Sequence, residues 1–199
     1  MIAYVESNFV LEIVLGQEHA ASVEALLVAA EQGAIEMVIP GFAVAEPFST
    51  ITNRERNRDQ LVKGISATLR DLQRSSPYQN EALLVASAVN GLASITGREI
   101  TSLHDITKRL LTIARTVELD AACFALALAY QQQYALSPQD SIIYASIISD
   151  LRMRPLADAK CFITRNSKDF DDPGIVTELN SLSCRLFFSF EDGLQYSVP

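Results

Sequence analysis

Histidine, cysteine and glycine are scarce in this chain, and each scarcity removes a class of chemistry. The two histidines, His19 and His104, lie inside helical patterns with no obvious partner nearby. Neither stands at a strand exit or on a sharp turn, so a Ser-His-Asp or Cys-His mechanism has no placed base to recruit. Cys123, Cys161 and Cys184 are odd in number and lack C-x-x-C spacing. They build neither a disulfide framework nor a zinc site and fit buried thiols in a reducing compartment. The 8 glycines are scattered, and none forms G-x-G-x-x-G or a Walker loop. No apolar run approaches a membrane span, and no basic leader precedes an apolar stretch. The expectation is a cytoplasmic protein without a membrane partner. Basic residues are also few: 16 against 24 acids, a net charge of -8. That argues against nucleic-acid binding through bulk charge and leaves room for a local basic patch.

What is present is a set of carboxylates and amides where short apolar runs end. Hydrophobic residues make up 49% of 199, enough for a packed core, and the length predicts one domain over residues 1–199 with a helical elaboration. Ile2 to Val5 reads as a buried parallel strand, and Glu6-Ser7-Asn8 follows it directly, ahead of an apolar helix from Phe9 to Leu15. A charged residue between two apolar runs must be paired, hydrogen-bonded or bound to a cation. Asn8 is placed to cap the helix or brace the carboxylate. Glu18 to Gln32 predicts a helix ended by Gly33, and Met37 to Ile39 a second strand closed by Pro40-Gly41. This strand–helix–strand order implies a parallel sheet.

Glu46 is the only charge in the fourteen residues from Met37 to Thr50. It reads either as an early-turn acid favoured by the helix dipole or as a carboxylate aimed at the cleft of Glu6. Arg54, Arg56 and Arg58 alternate; such runs are mostly solvated faces, although Arg54 is a candidate phosphate contact. From Leu61 to Tyr134 the pattern is helical, and an insertion of about 60–134 is expected without any strand. Its helices are expected at Leu61 to Leu72, Glu81 to Ile95, Leu103 to Val117 and Ala121 to Tyr134, with a Ser102–Asp105 capping box.

Ser137-Pro138-Gln139-Asp140 starts another helix, so Asp140 serves either as part of a cap or as a ligand. Cys161 to Thr164 reads as a buried strand that turns polar at once through Arg165, Asn166, Ser167, Lys168 and Asp169. Polar groups just past the carboxyl end of a parallel strand sit where ligands bind in open sheets. Asp171 to Gly174 reads as a turn, and Arg185 to Phe190 as a last, edge strand before a short tail. Glu6, Glu46, Asp140, Asn166 and Asp169 together suit a hard cation with oxygen ligands, Mg²⁺ or Mn²⁺, and phosphodiester hydrolysis at it.

These pieces resemble the PIN-domain family of metal-dependent nucleases, which includes VapC-like toxins of toxin–antitoxin pairs. The matching stretches are Tyr4-Val5-Glu6-Ser7-Asn8, Ala43-Val44-Ala45-Glu46, Asp140 at the head of a small-residue-rich helix, and Phe162 to Phe170. The resemblance implies an α/β, three-layer PIN-like fold with a mainly parallel central sheet, and single-stranded RNA as substrate. It implies Glu6, Glu46 and Asp140 as metal ligands, Asn166 at the fourth acidic position, and Asp169 as a further ligand or supporting acid. Ser7, Asn8 and Thr164 would orient ligands or a water, and Arg165 joins Arg54 as a substrate contact. An antitoxin partner and a homodimer are further implications.

Two departures carry an alternative. The family's usual first acid is Asp, and the extra methylene of Glu6 displaces the carboxylate by about 1.5 Å, one carbon–carbon bond; Asn166 removes a charge. The alternative is a PIN-like binding or assembly module with impaired catalysis. A phosphohydrolase with an aspartyl nucleophile fits worse, because Glu6 stands where that chemistry needs Asp.

Overall fold

The computed structural model describes residues 1–198. Five strands form one sheet: β1 Ile2–Val5, β2 Glu36–Pro40, β3 Arg115–Val117, β4 Lys160–Ile163 and β5 Cys184–Phe187. Nine helices join them among the described residues: α1 Ser7–Val14, α2 Ala20–Glu31, α3 Gly41–Arg74, α4 Gln79–Ile113, α5 Ala121–Tyr134, α6 Pro138–Leu151, α7 Ser167–Phe170, α8 Pro173–Ser181 and α9 Phe190–Ser197. The strand order is β3-β2-β1-β4-β5, and every pairing is parallel. The fold is therefore α/β with an all-parallel sheet flanked by helices.

Strand composition explains this arrangement. Every residue of β1 and of β4 is buried, as expected for central strands covered on both faces. Alternate residues face opposite sides. Tyr4 pairs with Phe162, and that face looks toward α6: the Tyr4 hydroxyl donates to Asp150 of α6 at 2.6 Å, and Phe170 bridges Phe162 and Tyr144. Val5 pairs with Ile163 on the other face, where α9 lies so close that a methyl at Gly193 would come within 2.5 Å of Ile163 Cδ1. The strands run outward from β1 to β3 and then return to the other side of β1 with β4. The direction of winding thus reverses between β1 and β4, and clefts form outside the carboxyl ends of strands at such a point.

The chain divides into two compact units. One contains Met1–Pro47 and the chain from Asp105 onward, and so holds the whole sheet; the other is Phe48–His104. The second is an antiparallel pair of helical segments from α3 and α4, joined through a 3₁₀ turn at Ser76–Tyr78. The expected insertion of about 60–134 thus begins earlier and ends earlier, and α5 belongs to the sheet unit.

Four further expectations differ from the structure. The block expected to lack strands contains β3, three residues too short to show a period, which exist as a strand because they pair with β2. The two helices expected from Glu81 and Leu103 are one, α4, and Ser102 and Asp105 lie within it and form no capping box. Gly97 sits inside this helix at a cost of about 1 kcal/mol relative to Ala. The pairing of Arg58 with Glu99 across the hairpin, at 2.6 Å to both carboxylate oxygens, helps hold the helix through that point. Asp171 to Gly174 is not a free turn: Asp172 caps α8, accepting from the Gly174 amide at 2.7 Å. The expected tail is α9, capped by Ser189, and the last strand is β5 at Cys184–Phe187, on the edge as expected.

Candidate metal site at the carboxyl rim

Register brings the site together. Val5 and Ile163 are neighbours in the sheet, so the next residues, Glu6 and Thr164, leave it side by side. The Thr164 hydroxyl donates to Glu6 Oε1 at 3.0 Å, and the Asn166 amide donates to Thr164 Oγ1 at 2.9 Å. Asn166 Nδ2 donates to Asp140 Oδ1 at 3.0 Å, and the Ser137 hydroxyl engages Asp140 Oδ2. On the other side, Glu6 is the N-cap of α1 and its Oε2 accepts from the Asn8 amide at 2.9 Å. The Ser7 hydroxyl reaches Glu46 Oε2. One continuous hydrogen-bonded row thus runs from Asp140 through Asn166 and Thr164 to Glu6, with Glu46 attached through the adjacent Ser7.

The local sequence places each member. Ser137 caps α6 with Pro138 in its first turn, which sets Asp140 at the helix start, where the dipole favours a negative charge. Glu6 stands likewise at the start of α1. Glu46 lies within the first turns of α3, just before Pro47.

The electrostatics are unusual in one respect. No Lys, Arg or His pairs with Glu6, Glu46, Asp140 or Asp169 among the described residues. Four other well-covered acids all have an arginine: Glu12 with Arg165, Glu99 with Arg58, Asp150 with Arg115, and Glu178 with Arg152. Glu6 is only 4% exposed. Burial pushes its acid range up to about 7, with a small contribution from neighbouring Glu46, against the lowering effect of the Asn8 and Thr164 hydrogen bonds. Glu46 and Asp140 are anchored only by hydroxyl and amide donors. An oxygen-only donor set with no counter-charge is the chemistry a hard divalent cation takes. Among the described residues, however, no three His, Cys, Asp or Glu side chains already stand around one point as a formed metal cage.

The remaining expected residues go elsewhere. Asp169 makes no hydrogen bond to this row and lines an open pocket with Tyr134, Leu136, Lys168, Asp171 and Asp172. Arg165 turns away to Glu12, at 3.1 Å, and to Glu18. Arg54 belongs to the hairpin unit, with Glu99 at 3.7 Å. Two residues gain importance. Ser137 holds Asp140 as well as capping its helix. Glu12 is 1% exposed and anchors Arg165 and the His19 amide. A lone acid in the apolar run Phe9 to Leu15 was the available signal for Glu12.

Comparison of the chain with family models, with curated proteins and with solved structures finds no match in any of the three.

Proposed function

We propose that this protein is a metal-dependent endoribonuclease with a PIN-like fold, cleaving phosphodiester bonds of single-stranded RNA. The observation that carries the reading is the uncompensated row of carboxylates at the switch point of the sheet. Glu6, Glu46 and Asp140 are the residues that would hold Mg²⁺ or Mn²⁺, with Asn166 completing the rim and Asp169 as an outlying acid. A cation bound there would supply an acidified water and positive charge for the departing oxygen. The chain's own share is positioning. Thr164, Ser7, Asn166 and Ser137 fix the carboxylate planes, and burial of Glu6 keeps that acid in a weakly solvated environment. In a toxin–antitoxin pair, an antitoxin arginine or lysine would fill the same missing positive charge.

A second reading, a PIN-like binding module without catalysis, is favoured by one observation: both oxygens of Glu6 already accept a hydrogen bond, at 2.9 and 3.0 Å, from within the chain. Manganese titration calorimetry on the wild type and on Asp140→Ala, followed by RNA cleavage with each, separates the two. The nuclease reading expects saturable binding in the wild type that the variant loses, with cleavage lower by on the order of a thousandfold, beyond the 10–100-fold cost of losing an outer partner of a metal ligand. Equal weak binding in both proteins and intact RNA would leave Asp140 as a helix cap and the module reading standing.

A further inference from the structure

The hairpin unit Phe48–His104 has two outer faces of opposite character. The α3 segment carries exposed Arg56, Lys63, Arg70 and Arg74 with Asp59 and Asp71. The α4 segment carries no charge over the sixteen residues from Ala82 to Gly97. Its leucines Leu83 and Leu84 are nevertheless 70% and 73% exposed. Large apolar side chains standing in water on a helix with no charged face belong in contact with protein. The seam between the helices does not satisfy it: of residues 59–98, only Ala82 is fully buried. Glycine adds an independent sign. A methyl group built at Gly91 meets nothing within 4 Å, so this chain does not need glycine there. Glycine at this position nevertheless weakens the helix relative to Ala. Close approach of another backbone would use that space.

The charges at the ends of the neutral run say which backbone. Glu81, Leu84, Ala88, Gly91, Ile95 and Arg98 follow one another at spacings of three and four, the single stripe of a coiled-coil seam. Glu81 and Arg98 terminate it, and neither has an ion-pair partner among the described residues. A second copy laid antiparallel about the middle of the stripe sets Glu81 against Arg98, Leu84 against Ile95 and Ala88 against Gly91. A parallel arrangement would oppose like charges. A two-fold interface must be self-complementary, and this stripe is so only in the antiparallel sense.

We propose that the protein forms a homodimer through the outer face of α4, closed at both ends by reciprocal Glu81–Arg98 ion pairs. The proposal is independent of the carboxyl-rim chemistry. Sedimentation equilibrium of the full chain tests it, with circular dichroism to confirm folding of each variant. The wild type is expected at twice the chain mass, and Leu84→Glu at the monomer mass. Glu81→Arg sets like charges together at both ends and is expected to weaken association at least about tenfold. Adding Arg98→Glu to it is expected to restore the wild-type dissociation constant to within about threefold by reversing both members of each pair. A wild type that stays monomeric at about 100 μM, well above micromolar affinities, overturns the proposal and leaves the face to a different protein. A dimer indifferent to Leu84→Glu, or a double swap no tighter than Glu81→Arg alone, overturns it equally.

Discussion

Helix α6 carries an aspartate near each end, and the two live in opposite worlds. Asp150, at the amino rim of the sheet, accepts from the Tyr4 hydroxyl and from Arg115 Nη2, each at 2.6 Å, with Arg154 Nε at 3.4 Å. Glu36 extends the network to Arg115 at 3.0 Å and to Arg154 at 2.8 Å. Asp140, about 15 Å away along the axis at 1.5 Å per residue, has hydroxyl and amide donors and no cation. Burial pushes Asp150 up, but hydrogen bonds and charge from Arg115, Tyr4 and Arg154 outweigh it and hold the acid below its usual range. Glu6, past the far end of the strand that holds Tyr4, is pushed up to about 7 by burial with nothing cationic to offset it. The same helix and strand therefore join a rim whose charges are balanced within the chain to a rim whose acids have no ion-pair partner among the described residues. Balanced acids stabilise a fold; unbalanced ones are retained at a cost and point to binding.

The comparison breaks most visibly at Asp150. Replacing it with Ala leaves the buried Tyr4 hydroxyl without its acceptor and two arginines without their shared partner. A loss of about 3 kcal/mol is expected for breaking such a partly buried network. In a domain of this size that is a fall of roughly 6–12 °C in Tm. Glu46→Gln at the other rim is expected to leave Tm unchanged or slightly higher in EDTA, because it removes one of two neighbouring unpaired charges. Differential scanning calorimetry of both variants decides; comparable losses at the two sites would mean that the rims do not differ in kind.

How far these rims could be read from sequence depends on what each rests upon. Glu6 and the Asn166 loop were legible because a polar residue directly after a short apolar run marks a strand end whatever else the chain does. Their proximity follows once β1 and β4 are seen to be adjacent and parallel, since residues just past two such strands are neighbours. The amino-rim network was not legible. Arg115, Glu36 and the Asp150–Arg154 pair sit in three separate segments, only the last pair has a helical spacing, and Arg115 lies in a three-residue strand that exists only through pairing with β2. Asp169 is the counter-case. The loop does deliver it beyond β4, but a short helical turn, α7, carries it to a pocket with Tyr134 and Asp172. Spacing within a loop gives no direction for a side chain. The continuous α4 was obscured because Gly97 and Ser102 resemble boundary residues until a second helix is seen to run alongside.

The pH dependence of stability sharpens the contrast, because the two rims have opposite signs. Glu6 binds its proton more tightly in the folded chain, so between its ordinary range near 4.5 and about 7 the native state holds more protons than the unfolded state. Stability from this group is complete below pH 4.5, declines as pH rises and is gone above about pH 7, a change of at most about 3 kcal/mol. Asp150 behaves conversely: its folded acid range is depressed, so its contribution is present at neutral pH and is lost on acidification. Glu6→Gln is expected to gain on the wild type as pH rises from 4.5 to 8, by urea unfolding in EDTA, and to show no such trend below pH 4.5. Parallel curves across that range would remove Glu6 as an unbalanced buried acid.

Thr164 gives the smallest and most local effect. Its hydroxyl is both donor to Glu6 and acceptor for the Asn166 amide, so it joins the β1 exit to the β4 exit. Thr164→Val keeps the branched shape and removes both bonds, leaving a buried amide and one carboxylate oxygen short of partners. About 1–2 kcal/mol of stability is expected to go. The loss of a donor that favours the ionised form also carries the acid range of Glu6 further above its position near 7. Thr164→Ser keeps the hydroxyl and is expected to hold Glu6 where it is, at a modest loss of packing. Carboxyl titration of Glu6 by NMR in the three proteins reads this directly. A Glu6 titration that is the same in Val and Ser variants would show that the row across the rim is geometric coincidence and that β1 and β4 present their acids independently.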